Sequence, residues 1–126
     1  MQVPDDLRYT SDHEWVKLEG GNLRIGITDY AQDALGDVVF VQLPEPDTRH
    51  DSGQSLSEVE STKSVSDIYA PIAGRVVEVN NELVDSPQLL NSDPYGEGWI
   101  VVIEPDDPEA FAGLLDPGAY RALISD

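Results

Sequence analysis

Apolar residues in this chain come in short runs between dense turn signals, a pattern that favours strands over long helices. Glu14 to Leu18 alternates loosely, Glu19-Gly20-Gly21-Asn22 reads as a hairpin turn, and Leu23 to Ile27 returns as a strand. Thr28 or Asp29 can cap a short helix that runs through Leu35, and Gly36 suits its C-terminal end. The β-branched run Val38 to Leu43 predicts a buried strand, stopped by Pro44 and Pro46. Pro44 to Gly53 is polar and predicts an exposed loop. Two further strands are expected at Gln54 to Ser61 and Ser64 to Tyr69, with Thr62 and Lys63 between them. Pro71 to Gly74 is a turn, and Arg75 to Val79 is a strand. Ser86-Pro87 signals a helix start, Asn91 to Gly98 a loop, and Trp99 to Ile103 the last strand. Asp106 to Ile124 suggests one or two short terminal helices. Roughly seven short strands with regular turns point to a β sandwich or barrel.

Length bounds this picture. The 126 residues suit a single domain, with the core over about 7–103 and a helical C-terminal segment over about 106–124. No stretch approaches the roughly 18 apolar residues that span a bilayer. Met1 to Arg8 lacks a basic segment followed by an apolar one, and Asp5 and Asp6 do not suit a mitochondrial presequence, so a cytoplasmic protein is expected.

Charge narrows the partners. Asp and Glu number 25 against 7 Lys and Arg, a net charge of −18. Such a surface repels nucleic-acid phosphates and anionic lipid, so neither nucleic acid nor membrane is expected as a partner. It suits docking onto basic protein surfaces, although solubility or a salty cytoplasm would account for it equally well. The chain has no cysteine, so any sulfur chemistry must come from a cofactor.

Most of the chain offers an enzyme little. His13 and His50 have no ligand spacing between them, no metal site is expected, and no Gly-x-Ser-x-Gly elbow is present. Lys63 differs. It lies in Glu58-Val59-Glu60-Ser61-Thr62-Lys63-Ser64-Val65-Ser66-Asp67, with small polar neighbours and strand-like runs on both sides. A tight turn there would present its amine to a modifying enzyme. On the local pattern alone, a plain solvated turn lysine is the favoured reading.

The segment Glu60 to Pro71, ESTKSVSDIYAP, resembles the lipoyl-attachment segment of glycine cleavage H proteins. Further blocks appear in the family's order: His13-Glu14-Trp15-Val16, Gly26 to Gln32, Leu35 to Val41, and Asn91 to Trp99. The resemblance spans about Leu7 to Ile103 and is too extended for chance. It implies a mainly β fold, a lipoyl/biotinyl-type barrel-sandwich hybrid of two antiparallel sheets with short helices, including one at the C-terminus. It implies lipoate joined covalently to Lys63, with Glu60, Ser61, Thr62 and Ser64 read by a lipoyl-transferring enzyme. The chain would be a non-catalytic carrier, expected as a monomer. It would shuttle the aminomethyl group of glycine from a pyridoxal-phosphate glycine decarboxylase to a tetrahydrofolate-dependent aminomethyltransferase, and its dithiol to dihydrolipoyl dehydrogenase. Glu14 and Asp67, in family-like blocks, are expected beside the tip as guards of the loaded arm, where a carboxylate would keep the carried amine protonated.

Some positions depart from the family. Ser57 stands where glycine is common, Thr62 and Ser64-Val65 replace small apolar neighbours of the lysine, and the loop Pro46 to His50 is unusually polar. Other readings are an H-like relay passing lipoyl groups to other enzymes, a different lipoyl or biotin carrier, or an acidic interaction module without cofactor. Biotin domains usually flank their lysine with methionine, whereas Thr62 and Ser64 flank this one.

Overall fold

The computed structural model describes residues 1–125. The Gly20-Gly21 pair, with φ of 56° and 91°, closes a two-residue hairpin between β2 (Glu14–Glu19) and β3 (Asn22–Ile27). Glycine suits both positive angles because it carries no Cβ to clash. Thr28 then caps α1 (Asp29–Leu35), its hydroxyl accepting from the Ala31 N–H at 3.2 Å, and Gly36 at φ 80° ends the helix. Hairpin, cap and stop all follow the sequence reading.

Strands β1 (Arg8–Tyr9), β4 (Val38–Gln42), β5 (Arg49–His50), β6 (Ser55–Ser61), β7 (Val65–Tyr69), β8 (Gly74–Val79) and β9 (Val101–Pro105) complete two antiparallel sheets. The first has the order β1-β2-β3-β9-β8-β5 and the second β4-β6-β7. Their facing sides bury one apolar core, with Val16, Ile25, Val76 and Ile103 from the first sheet and Val41, Val59 and Ile68 from the second. Such burial is the main favourable term in folding.

Helices fill the ends. Two single-turn helices, α2 (Glu82–Asp85) and α3 (Leu89–Ser92), each bury one leucine, Leu83 and Leu90. The Ser86-Pro87 signal marks the junction between them, with Gln88 as the cap residue of α3. A 3₁₀ segment, Pro108–Gly113, and α4 (Pro117–Ile124) form the C-terminal helical region. Tyr120 of α4 stacks on Tyr9 with ring centroids 4.6 Å apart and is fully buried.

Two expectations need correction. The stretch Val38 to Leu43 is not a buried strand, because a bulge between Val38 and Phe40 breaks its alternation. Val38 and Val41 are buried, while Val39 and Phe40 are about half exposed, at 53% and 50%. A bulge inserts one residue, so two consecutive side chains can face the same way. The loop from Pro44 to Gly53 is also not wholly irregular, since Arg49 and His50 pair with Arg75 and Gly74.

One close packing contact carries a prediction. A Cβ on Gly26 would lie 2.6 Å from Trp15 Nε1, and that nitrogen is already committed to the Pro94 carbonyl at 2.8 Å. The indole cannot retreat without losing a buried hydrogen bond. Gly26→Ala is therefore expected to cost about 1–3 kcal/mol, readable as a lowered urea midpoint. An unchanged midpoint would show that the ring relaxes freely.

Candidate functional site

Lys63 stands exposed at the tip of the β6–β7 hairpin. Ser61 organises the turn: its hydroxyl oxygen accepts from the N–H groups of Lys63 and Ser64, both at 3.1 Å. The Ser61 N–H donates to the Ser64 carbonyl at 2.8 Å, closing the hairpin. Next to it, the Thr62 N–H donates to the Asp37 carbonyl at 3.0 Å, tying the tip to the chain that leaves α1. Small polar residues fit here because the serine hydroxyl substitutes for missing ladder partners. Glu60 sits half-buried on β6, between Phe40 of β4 and Val65 of β7.

The lysine stem does not simply hang free. A Cβ on Gly36 would come within 3.2 Å of Lys63 Cε, so the stem rests in a space that glycine keeps open. Beside that contact begins a cleft of about 180 Å³. Its walls are Ile27, Ala31, Ala34, Leu35 and Ile68, and Asp12, His13, Tyr30, Ser66 and Asp67 complete the lining. A larger recess of about 380 Å³ lies at the opposite end of β4 and β6, around Pro44, His50 and Ser55, so size alone does not mark the functional place.

Of the two acids expected beside the tip, Asp67 is on the exposed side of β7 and Glu14 is buried. Asp67 is exposed, lines the cleft and accepts from the Ser55 hydroxyl at 3.1 Å. Glu14 is 1% exposed and lies inside the protein. Its carboxyl group accepts from the Tyr69 N–H at 2.7 Å and the Thr10 hydroxyl at 3.0 Å. It thereby joins β2 of one sheet to β7 of the other. A charged residue in a loosely alternating strand reads as outward-facing, and only closure of the sheets turns this one inward.

Burial pushes the Glu14 pKa up from 4.5 to about 8, against the lowering effect of the Tyr69 and Thr10 hydrogen bonds. An unfolded chain releases this proton near its ordinary value, while the folded chain holds it to about pH 8. The native state has the full benefit below the unfolded pKa and loses it progressively as pH rises through about 8. The loss should be on the order of a few kcal/mol. Gln is isosteric with the protonated form and cannot ionise. Urea melts of the parent and Glu14→Gln should therefore diverge between pH 5 and pH 9, on the order of those limits, with the parent falling. Parallel curves would contradict a buried, late-titrating carboxyl group.

His13, Tyr30, Asp12 and Ser66 were not expected as site residues. His13 adopts φ 68°, stacks near Tyr30 with centroids 4.6 Å apart, and places Nδ1 2.9 Å from the Tyr120 hydroxyl. Burial lowers its pKa. The Tyr120 hydroxyl also meets Thr28 Oγ1 at 2.7 Å, so the C-terminal helix braces both the cleft wall and the α1 cap. No local sequence signal joins these segments. Among the described residues, no cluster of His, Cys, Asp or Glu could hold a metal ion. No described helix is long and apolar enough to cross a membrane.

An exposed lysine on a turn pinned by Ser61 is a setting that suits covalent attachment of a carried group. A family model described as Glycine cleavage H-protein matches residues 7–126. A glycine cleavage system H protein of Mycolicibacterium smegmatis is 56% identical over 129 residues, covering 99% of this chain and 98% of that one. One from Anaeromyxobacter sp. strain K is 49% identical over 126 residues, covering 100% and 98%. The crystal structure of a glycine cleavage system H protein from Mycobacterium marinum superposes with a TM-score of 0.87 at 45% identity, covering 95% of this chain and 97% of that one. The chain belongs to the glycine cleavage H-protein family. It is a non-catalytic lipoyl carrier of the glycine cleavage system, and lipoate is its covalent cofactor.

Proposed function

We propose that Lys63 is the residue that carries the lipoyl group, through an amide at Nζ. The carrying observation is the tip itself: an exposed lysine on a turn pinned by Ser61, its stem resting over Gly36 beside an apolar cleft. The only other lysine, Lys17, lies along β2 beside Glu19, at 3.6 Å, with no turn to present it. Bound lipoate supplies the redox-active sulfur pair that a cysteine-free chain lacks.

The chain's own residues then hold and shield the arm. Ile27, Ala31, Ala34, Leu35 and Ile68 offer apolar walls, which favour an alkyl chain over water. Asp12 among the lining residues favours a protonated amine brought into the cleft, because a carboxylate stabilises the charged form. Glu14 supports this wall from inside, through Tyr69 and Thr10. Glu60, Ser61, Thr62 and Ser64 present the lysine to the lipoyl-transferring enzyme.

As a component of the glycine cleavage system, the chain serves a pyridoxal-phosphate decarboxylase, a tetrahydrofolate-dependent aminomethyltransferase and dihydrolipoyl dehydrogenase in turn. We read it as a single carrier domain over residues 1–126, acting as a monomer in the cytoplasm. Tethering replaces free diffusion of the carried group with a high local concentration at each enzyme. The test is direct. Unmodified chain incubated with a lipoyl ligase, ATP and lipoate should gain the mass of one lipoyl group, and fragmentation should locate it on Lys63. A gain on Lys17 would overturn the assignment.

A further inference from the structure

The bulge in β4 has a functional counterpart. Phe40 pairs with Glu60, and Glu60 pairs with Val65, so these three residues form one row across the outer face of the β4-β6-β7 sheet. Phe40 and Val65 are 50% and 57% exposed, and the bulge adds Val39 beside them at 53%. Adjacent strands lie about 4.8 Å apart, so the row is roughly 10 Å wide from Phe40 to Val65. Val65 follows Lys63 by two residues. Large apolar side chains grouped on a surface of otherwise high charge mark an interaction site more often than isolated ones do.

The surroundings of the row are one-signed. The next row on the same face is Gln42, Glu58 and Asp67, and Asp37 precedes the bulge. The three strands contain no Lys or Arg, and Lys63 at their tip loses its charge once acylated. An apolar centre with an acidic rim complements an apolar pocket edged by lysine or arginine.

We propose that the Val39–Phe40–Val65 patch is the docking surface for the enzyme that acylates Lys63. This rests on the assignment of Lys63 as the lipoyl acceptor. Reach selects that enzyme over the other partners. The enzymes of the cleavage cycle act at the far end of the lipoyl arm and can meet the tip across its length. The acylating enzyme must instead draw the lysine amine itself into its active site, which brings the surface beside Lys63 against its own. In that step the amine lone pair forms the amide bond to the acyl carbon of an acyl-adenylate. The carbon–oxygen bond to AMP breaks with its electron pair leaving on AMP, and the amine proton passes to water.

The experiment uses unmodified full-length chain with a purified lipoyl ligase, ATP and lipoate, following acylation by intact mass at varied carrier concentration. Phe40→Thr and Val65→Thr keep strand-compatible residues, and matching melting curves establish that both are folded. Each should lower kcat/KM about tenfold, mainly through KM, as expected for an anchor residue of an interface. Leu18→Thr, at an equally exposed position on the other sheet, should match the parent. Parent-like kinetics for both patch variants, or an equal loss in Leu18→Thr, would overturn the proposal. The acylated variants are then assayed with the glycine decarboxylase, where parent-like rates are expected. An equal loss there would assign the patch to the decarboxylase and overturn the proposed occupant. Absence of any mass gain in the parent would overturn the Lys63 assignment and the proposal together, whereas a gain on Lys63 in the parent with unaffected patch variants removes the patch alone.

Discussion

Lys63→Arg is expected to abolish acylation of the chain and, with it, all carrier activity in glycine cleavage. Arginine keeps the positive charge and most of the stem, so it leaves the tip electrostatics nearly unchanged. It cannot replace the chemistry, because acyl transfer needs a neutral amine lone pair and the guanidinium stays protonated at any working pH. The fold should not notice the change. Lys63 is exposed, its backbone N–H bond to Ser61 Oγ does not depend on the side chain, and surface substitutions of this kind stay within about 0.5 kcal/mol. The reciprocal variant, Lys17→Arg, should be acylated like the parent, since Lys17 lies on the body of a strand. Intact mass and circular dichroism on the three proteins suffice. A lipoyl mass gain in Lys63→Arg would end the assignment, and an unfolded Lys63→Arg would show that the lysine has a structural duty the contacts do not reveal.

How much of this was legible in the chain depended on distance along it. The Gly20-Gly21 hairpin, the Thr28 cap and the Gly36 stop are local devices, each decided by a few neighbouring residues, and all three were readable. The tip was readable for the same reason, because small polar residues between two strand-like runs have few alternatives to a turn. Residues whose setting depends on pairing were not. The outward turn of Phe40 comes from register with Glu60, which no property of the β4 segment announces. The two-residue strand β5 exists only because β8 lies beside it. Helix α2 is a single turn held by the burial of Leu83, too short to show helical periodicity. The cleft draws on the Asp12–His13 corner, Ile27, α1 and β7, so its polar members could be recognised singly but not as a group. Glu14 is the sharpest case. Its block of sequence pointed to importance, yet its location inside the protein followed from closure of two sheets far apart in the chain.

Exchanging Thr62 and Lys63 tests whether the tip works by geometry or by exposure alone, since both positions are exposed. The two backbones are held differently: the N–H of position 62 donates to the Asp37 carbonyl, and that of position 63 to Ser61 Oγ. Only the side chain at 63 rests over Gly36. A lysine at 62 would leave a neighbouring point on the turn, from a backbone tied to Asp37 rather than to Ser61, and so in another direction. Composition, charge and turn residues are unchanged in the exchanged protein, and threonine is tolerated at an exposed turn position, so folding should be preserved. An active site that receives the amine in one orientation is sensitive to misplacement on the order of 1 Å, which can cost roughly 100-fold in rate. The exchanged chain is therefore expected to be acylated about 100-fold more slowly than the parent at equal concentration, by the intact-mass assay. A saturating amount of ligase should narrow the gap little, because the fault lies in the bound geometry rather than in encounter. Equal rates for the two proteins would mean that any exposed lysine on this hairpin serves, and that the Ser61 clamp and the Gly36 contact stabilise the turn without directing the amine.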